Sequence, residues 1–370
     1  MNLNAINAIN ESPVQIEAVD GSGMLGGPMA SRLLAANMDI GALRPFIGDD
    51  GRNLIALQTN SSWNQKSETK NFQTNTALLR KDEWIKLDTA VLQAAKKRLR
   101  AINQLRSRGL TLPIPNALGT TVLQYQDVSD GTDAQMSMAG ETRGRRDRLV
   151  FDTKSIPLPI IHKDFALDIR LLSASRNNGQ PLDTMQAEVA AMKCAEYLEN
   201  MYFNGTSSFS YGGGVIYGMT DFTYRNLYTL PASWDDSSTS GAQIINHVVA
   251  MKQISINARH YGPWVLHIPT AYETKMDTDY DANSKQTIRD RLLRIEGIQE
   301  VMVSDWLATD NVILEEMDIQ TVRLIDGIPI TVVEWTTEGG MILHYKVMMI
   351  AVPQFRADQN NRCGLVHASR

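Results

Sequence analysis

The sequence predicts an α+β fold with an N-terminal arm, an extended β-hairpin loop and a mixed α/β lobe, and three observations predict it. Residues 82–107 and 181–203 each carry apolar side chains at three- and four-residue steps, the period of an amphipathic helix. Residues 240–352 alternate helical stretches with short β-branched segments. Between two strand-like pieces, 120–128 and 149–162, lies the polar, glycine-containing segment 129–148, which reads as the tip of a long hairpin. A hairpin of that length cannot bury itself and needs a partner surface.

With 370 residues the chain can bury a sizeable core, and its 43% hydrophobic and 21% charged composition excludes wholesale disorder. A net charge of −5 argues against a dedicated nucleic-acid binder, while leaving room for a wall that encloses nucleic acid. The charge is uneven. Residues 1–80 hold 6 Lys/Arg against 7 Asp/Glu, residues 81–108 hold 8 against 3, and residues 109–370 hold 22 against 31. One basic helix therefore sits on an acidic body. The two cysteines, Cys194 and Cys363, form no CxxC pair, so they read as small buried residues with neither a disulfide nor a zinc site. No apolar run is long enough to span a membrane, and the N-terminus has no signal-peptide pattern.

Taken in order, residues 1–80 read as an arm of loop and extended chain. Asp82 is a plausible N-cap for the first helix, whose stripe runs through Trp84, Leu87, Val91, Ala95, Leu99, Ile102 and Leu105 to a stop at Gly109. Lys96, Lys97, Arg98, Arg100, Arg106 and Arg108 crowd its C-terminal half, where the helix dipole favours cations. Pro181 opens the second helix, with a face traced by Met185, Val189, Met192, Ala195 or Glu196, Leu198 or Glu199, and Tyr202. Residues 241–260 and 284–297 predict further helices. Segments 264–268, 299–307, 311–317, 321–325, 328–335 and 344–352 predict strands.

The motifs empty the enzyme classes. Gly21-Ser22-Gly23-Met24-Leu25-Gly26 matches a dinucleotide-binding turn, but no repeated βαβ units follow, so it reads as a bend in the arm. Six histidines show no metal-ligand spacing, and Asp277, Asp279 and Asp281 read as a solvated acidic turn. Glu315 and Glu316 look like strand surface. No catalytic residue, cofactor or metal site is expected. Arg143, Arg145, Arg146 and Arg148 cluster near the hairpin tip without interleaved aromatics, which favours contact with acidic groups of a neighbouring subunit over nucleic-acid stacking. Lys96, Lys97, Arg100, Arg106 and Arg108 form a candidate basic face toward a lumen or DNA.

The segment PLPIIHKDFALDIRLLSASRNNGQPLDTMQAEVAAMKCAEYLENMYFNG (157–205) resembles the heart of the encapsulin and tailed-phage capsid lineage. A strand, a polar linker, a Pro-Leu start, a long Ala/Glu-rich helix and an aromatic-x-Gly ending follow in that order. YGPWVLHIPTAYETK (261–275), RDRLLRIEGIQEVMVSDWL (289–307), NVILEEMDIQTVRL (311–324) and ITVVEWTTEGGMILHYKVMMIAVP (330–353) resemble later family elements, and FRADQNNRCGLVHA (355–368) resembles the tail of phage versions.

The resemblance implies the Hong Kong 97-type capsid fold. It would comprise an arm (1–80), an N-terminal helix and connector (81–118), an extended hairpin (119–156), a peripheral domain with a long spine helix (157–219 and 341–370) and an axial domain (220–340). It implies a tailed-phage major capsid protein that self-assembles through hexamers and pentamers into an icosahedral shell around double-stranded DNA. DNA contact would be weak and non-specific. Scaffold, portal and decoration proteins would be further partners, and the location would be the virion, assembled in host cytoplasm, with no membrane. An encapsulin-type compartment housing a cargo enzyme is the alternative. The long segment before the first helix departs from encapsulins and favours the virus. Some relatives cross-link a hairpin lysine to a neighbour's asparagine. Residues 129–150 contain no lysine, leaving Lys154 as the only nearby candidate.

Overall fold

The computed structural model describes residues 45–47, 53–59, 68–73, 81–128, 138, 151–170, 173, 184–281, 286–337, 341–358 and 360–370. The Gly21–Gly26 turn, Pro181 and nearly all of the hairpin tip 129–148 lie outside them. The chain divides into two compact units: Met1–Arg98, Ile160–Ala195 and Ile328–Met349, and Leu99–Pro159, Glu196–Gly327 and Ile350–Arg370.

In the first unit, β1 (Pro45–Ile47), β2 (Asn53–Thr59) and β3 (Glu68–Gln73) form an antiparallel meander where the sequence predicted loop or extended chain. Pairing satisfies backbone groups that an isolated arm would leave to water. Helix α1 (Lys81–Arg98) buries Leu87, Val91, Ala94 and Ala95. Strand β7 (Ile161–Asp168) runs antiparallel to β15 (Ile342–Phe355), from Ile161 opposite Met349 to Asp168 opposite Ile342. Phe165 stacks on its cross-strand partner Tyr345 with ring centroids 5.0 Å apart.

The spine helix α3 (Met185–Asn204) is present, and its buried face matches the predicted one at Ala195, Leu198, Glu199 and Tyr202 but not at Met185 and Val189. Met185 and Val189 are exposed, and Ala187, Ala190, Ala191, Cys194, Ala195, Leu198, Met201 and Tyr202 are buried. The alanines form the inner face and the larger Met185 and Val189 lie at the exposed side. The division between units passes through α3 and through the long strands β14 (Val322–Thr337) and β15.

The second unit carries the main core. Its five-stranded mixed sheet has the order β10-β16-β13-β11-β12, comprising Asn226–Thr229, Leu365–Ser369, Val312–Glu316, Trp264–Pro269 and Ile298–Ser304. β11 and β13 are buried along their whole length. Helix α4 (Gly241–Asn257) packs Ile244, Val248 and Met251 against Trp264, Leu266, Leu314 and Val366 on one face. Its start is a capping box in which Ser240 and Gln243 satisfy each other's backbone N–H. The last turns of α3 cover the other face with Tyr202 and Phe203 against His267. Strand β16 lies inside this sheet, although the sequence assigned 341–370 to the peripheral domain.

Two further differences concern the course of single elements. The predicted helix 82–107 breaks at Leu99 (φ −84°, ψ 72°) into α1 and α2 (Arg100–Ser107). The predicted strands 321–325 and 328–335 are one strand, β14, running through Gly327. There a Cβ would collide with the Ala117 side chain, so glycine lets the strand continue under tight packing.

Candidate assembly surfaces

The hairpin begins where expected. β5 (Val122–Val128) pairs antiparallel with β6 (Phe151–Pro157), from Val122 opposite Pro157 to Val128 opposite Phe151. Its root is braced by a second hairpin, β8 (Thr206–Tyr211) and β9 (Gly214–Ile216). Gly214 faces the Ser155 carbonyl so closely that no Cβ would fit between them. Arg143, Arg145, Arg146 and Arg148 lie outside the described residues, so their contact with a neighbour stands as a proposal.

The basic face is divided. Lys96 and Lys97 occupy the last turn of α1, with side chains outside those described. Arg100 is exposed. Arg106 forms a two-pronged pair with Asp326, Nε and Nη2 each 3.1 Å from a carboxylate oxygen. Arg108 donates to the Gln299 side chain. Arg106 and Arg108 therefore have internal partners on β14 and β12, and Arg100 is the described member of the set left on an exposed site.

Helix α2 has no side-chain cap of its own. Its opening is held from α3: the buried Glu199 carboxylate accepts from Ala101 N at 2.7 Å and Ile102 N at 3.5 Å. Burial pushes the Glu199 carboxyl up to about 7, and the backbone N–H groups of α2 pull the other way. The sequence did place position 199 beside the apolar face of the spine helix; an acid there was the available signal.

Glu315 and Glu316, read from sequence as strand surface, are buried. The reason is partners on both sides of the sheet. Glu315 accepts from Tyr202 Oη at 2.5 Å and lies 2.9 Å from His267 Nε2. Glu316 meets the His260 ring and accepts from Thr321 Oγ1 at 2.8 Å and Gly262 N at 3.0 Å. Burial opposes ionisation of His260, but the Glu316 hydrogen bond and charge raise it overall; Glu316 is lowered in turn. Asp277, Asp279 and Asp281 are exposed, as predicted. Cys194 and Cys363 are buried and free. Among the described residues no group of three or more His, Cys, Asp or Glu is placed to hold a metal ion, and no described helix is long and apolar enough to cross a membrane.

Met185, Val189 and Tyr197 are exposed on one stripe of α3, which the exposed Lys193 interrupts. Ile85 and Leu92 are exposed on α1.

A family model described as a family of unknown function, DUF6260, matches residues 73–368. The chain belongs to this family. This DUF6260 member is 26% identical over 235 residues to the Type 1 encapsulin shell protein EncA of Myxococcus xanthus, a match covering 63% of this chain and 73% of the relative. It superposes on the virus-like particle from Pyrococcus furiosus with a TM-score of 0.54 at 17% identity, covering 77% of this chain and 99% of the other. With the capsid of Myoviridae Phage XM1 the TM-score is 0.52 at 11% identity, over 68% and 86% of the two chains. The fold is the Hong Kong 97-type capsid fold.

Proposed function

We propose that this chain is a structural subunit that self-assembles into a closed protein shell, and specifically the major capsid protein of a tailed virus enclosing double-stranded DNA. One observation carries the shell reading: this chain aligns along 99% of the chain of a virus-like particle with a TM-score of 0.54. A hairpin root braced by a second hairpin and exposed apolar side chains on α3 support it, because repeated contacts around a closed symmetry hold a subunit firmly although each is modest.

The viral reading draws on two features. Residues 1–72 precede the region that the family model matches, giving arm length that can lace neighbours together. The body 109–370 carries 22 Lys/Arg against 31 Asp/Glu, a wall to which DNA would bind weakly. The similarity to EncA supports a second reading, a compartment with a protein cargo.

Negative-stain microscopy of the purified full chain tests the shell. Uniform hollow particles are expected; dispersed monomers or dimers across a range of salt concentrations would sink it. Contents separate the two readings: nuclease-protected double-stranded DNA in particles from the native source supports the virus, and a co-purifying protein without DNA supports the compartment.

A further inference from the structure

The second unit contains a cavity of about 310 Å³ at the root of the long hairpin. Its walls come from β5 and β6 (Tyr125, Lys154), β9 and the loop after it (Tyr217, Tyr224), and the end of β15 with the residues beyond it (Gln354, Arg356). The volume lies at the lower end of small-molecule sites, roughly 300–1,000 Å³. None of the cavity's lining residues lies on α2 or α3.

Three observations give the cavity a sign. Lys154 and Arg356 line it, and no Asp or Glu is among its lining residues. Gln354 is 1% exposed, and its Nε2 has no partner among the described residues; its Oε1 is already taken by Arg323 Nε at 2.6 Å. Arg356 Nε is likewise buried without a partner, while its Nη1 donates to Gln320 at 3.0 Å. Buried donors are almost always satisfied, and an unsatisfied pair in a native fold points to a bound water or ion. Here both orphans are donors and one is cationic, so an acceptor-only group completes them better than water does.

We propose that this cavity binds a small oxyanion, a phosphate- or carboxylate-bearing molecule, with its charged group on Gln354 Nε2 and Arg356 Nε. The tyrosine walls at Tyr125, Tyr217 and Tyr224 accommodate a flat ring attached to that group. Occupancy would tie the hairpin root to the end of β15.

The test is equilibrium dialysis and melting of the purified full chain, assembled and dissociated, against inorganic phosphate and adenosine monophosphate at fixed ionic strength. Saturable binding of either probe, with a rise in melting temperature and no rise from adenosine, is expected. Arg356→Gln should weaken binding about 10-fold or more. Gln354→Leu should weaken it similarly, and if that variant fails to fold, Arg356→Gln alone decides. Absence of saturable binding, or equal binding by both variants, overturns the proposal. Binding by dissociated subunits but not by shells also overturns it, because a neighbour's carboxylate would then fill the site.

Discussion

Glu199, on the spine helix, holds the first turn of α2 through Ala101 N at 2.7 Å. A long-range carboxylate thus supplies the N-cap that Leu99 cannot, and it does so where one predicted helix becomes two. The arrangement has a pH signature. The folded carboxyl titrates at about 7 against 4.5 for the ordinary group. Between those values the folded state keeps a proton that the unfolded chain has lost, so this group's contribution falls as pH rises through the window, by roughly 3 kcal/mol at full extent. Glu199→Gln cannot titrate. Melting curves from pH 4.5 to 7 should therefore show the wild type losing stability relative to Glu199→Gln; parallel curves would refute the assignment.

His260 and Glu316 predict the opposite kind of window. The raised His260 contributes stability below its ordinary value of 6.5 and loses it as pH rises through the folded value. The lowered Glu316 contributes above 4.5 and loses it as pH falls through its folded value. The pair is worth most between those limits. Glu316→Gln should destabilise by about 1–3 kcal/mol near pH 6 and by less near pH 9, read from urea unfolding at the two values.

Arg106 and Asp326 are each about one-third exposed. Their double-mutant cycle, Arg106→Ala with Asp326→Ala, should give a coupling of about 1 kcal/mol that shrinks with added salt. Zero coupling would mean that Arg106 is free to serve a lumenal surface after all.

Gly214→Ala should cost about 1–3 kcal/mol, because the new Cβ meets backbone at Ser155 and not a movable side chain. Thermal unfolding of the variant reads it directly, and a neutral result would show that the two hairpins are not packed as described.

Burial pushes the Cys194 thiol up to about 11 and Cys363 to about 12. Both should resist a disulfide thiol reagent at pH 8 in the native protein and react fully in denaturant. Fast native labelling of either would place it at the surface.

The amino-acid sequence alone determined the local elements and their order. The Ser240 capping pattern starts α4, the 3.6-residue period marks α1, α2 and α3, and the alternating runs around 122–128 and 151–157 pair as a hairpin. These signals are local, set by side chains within one or two turns of each other. Tertiary structure decided which face of each element is inside. α3 turns its alanines inward and leaves Met185 and Val189 exposed, and Glu315 and Glu316 are buried because Tyr202, His267, His260 and Thr321 arrive from distant positions to complete their hydrogen bonds. The helix break at Leu99, the continuity of β14 through Gly327 and the place of β16 in the central sheet depend likewise on partners tens to hundreds of residues away. No window of sequence contains them.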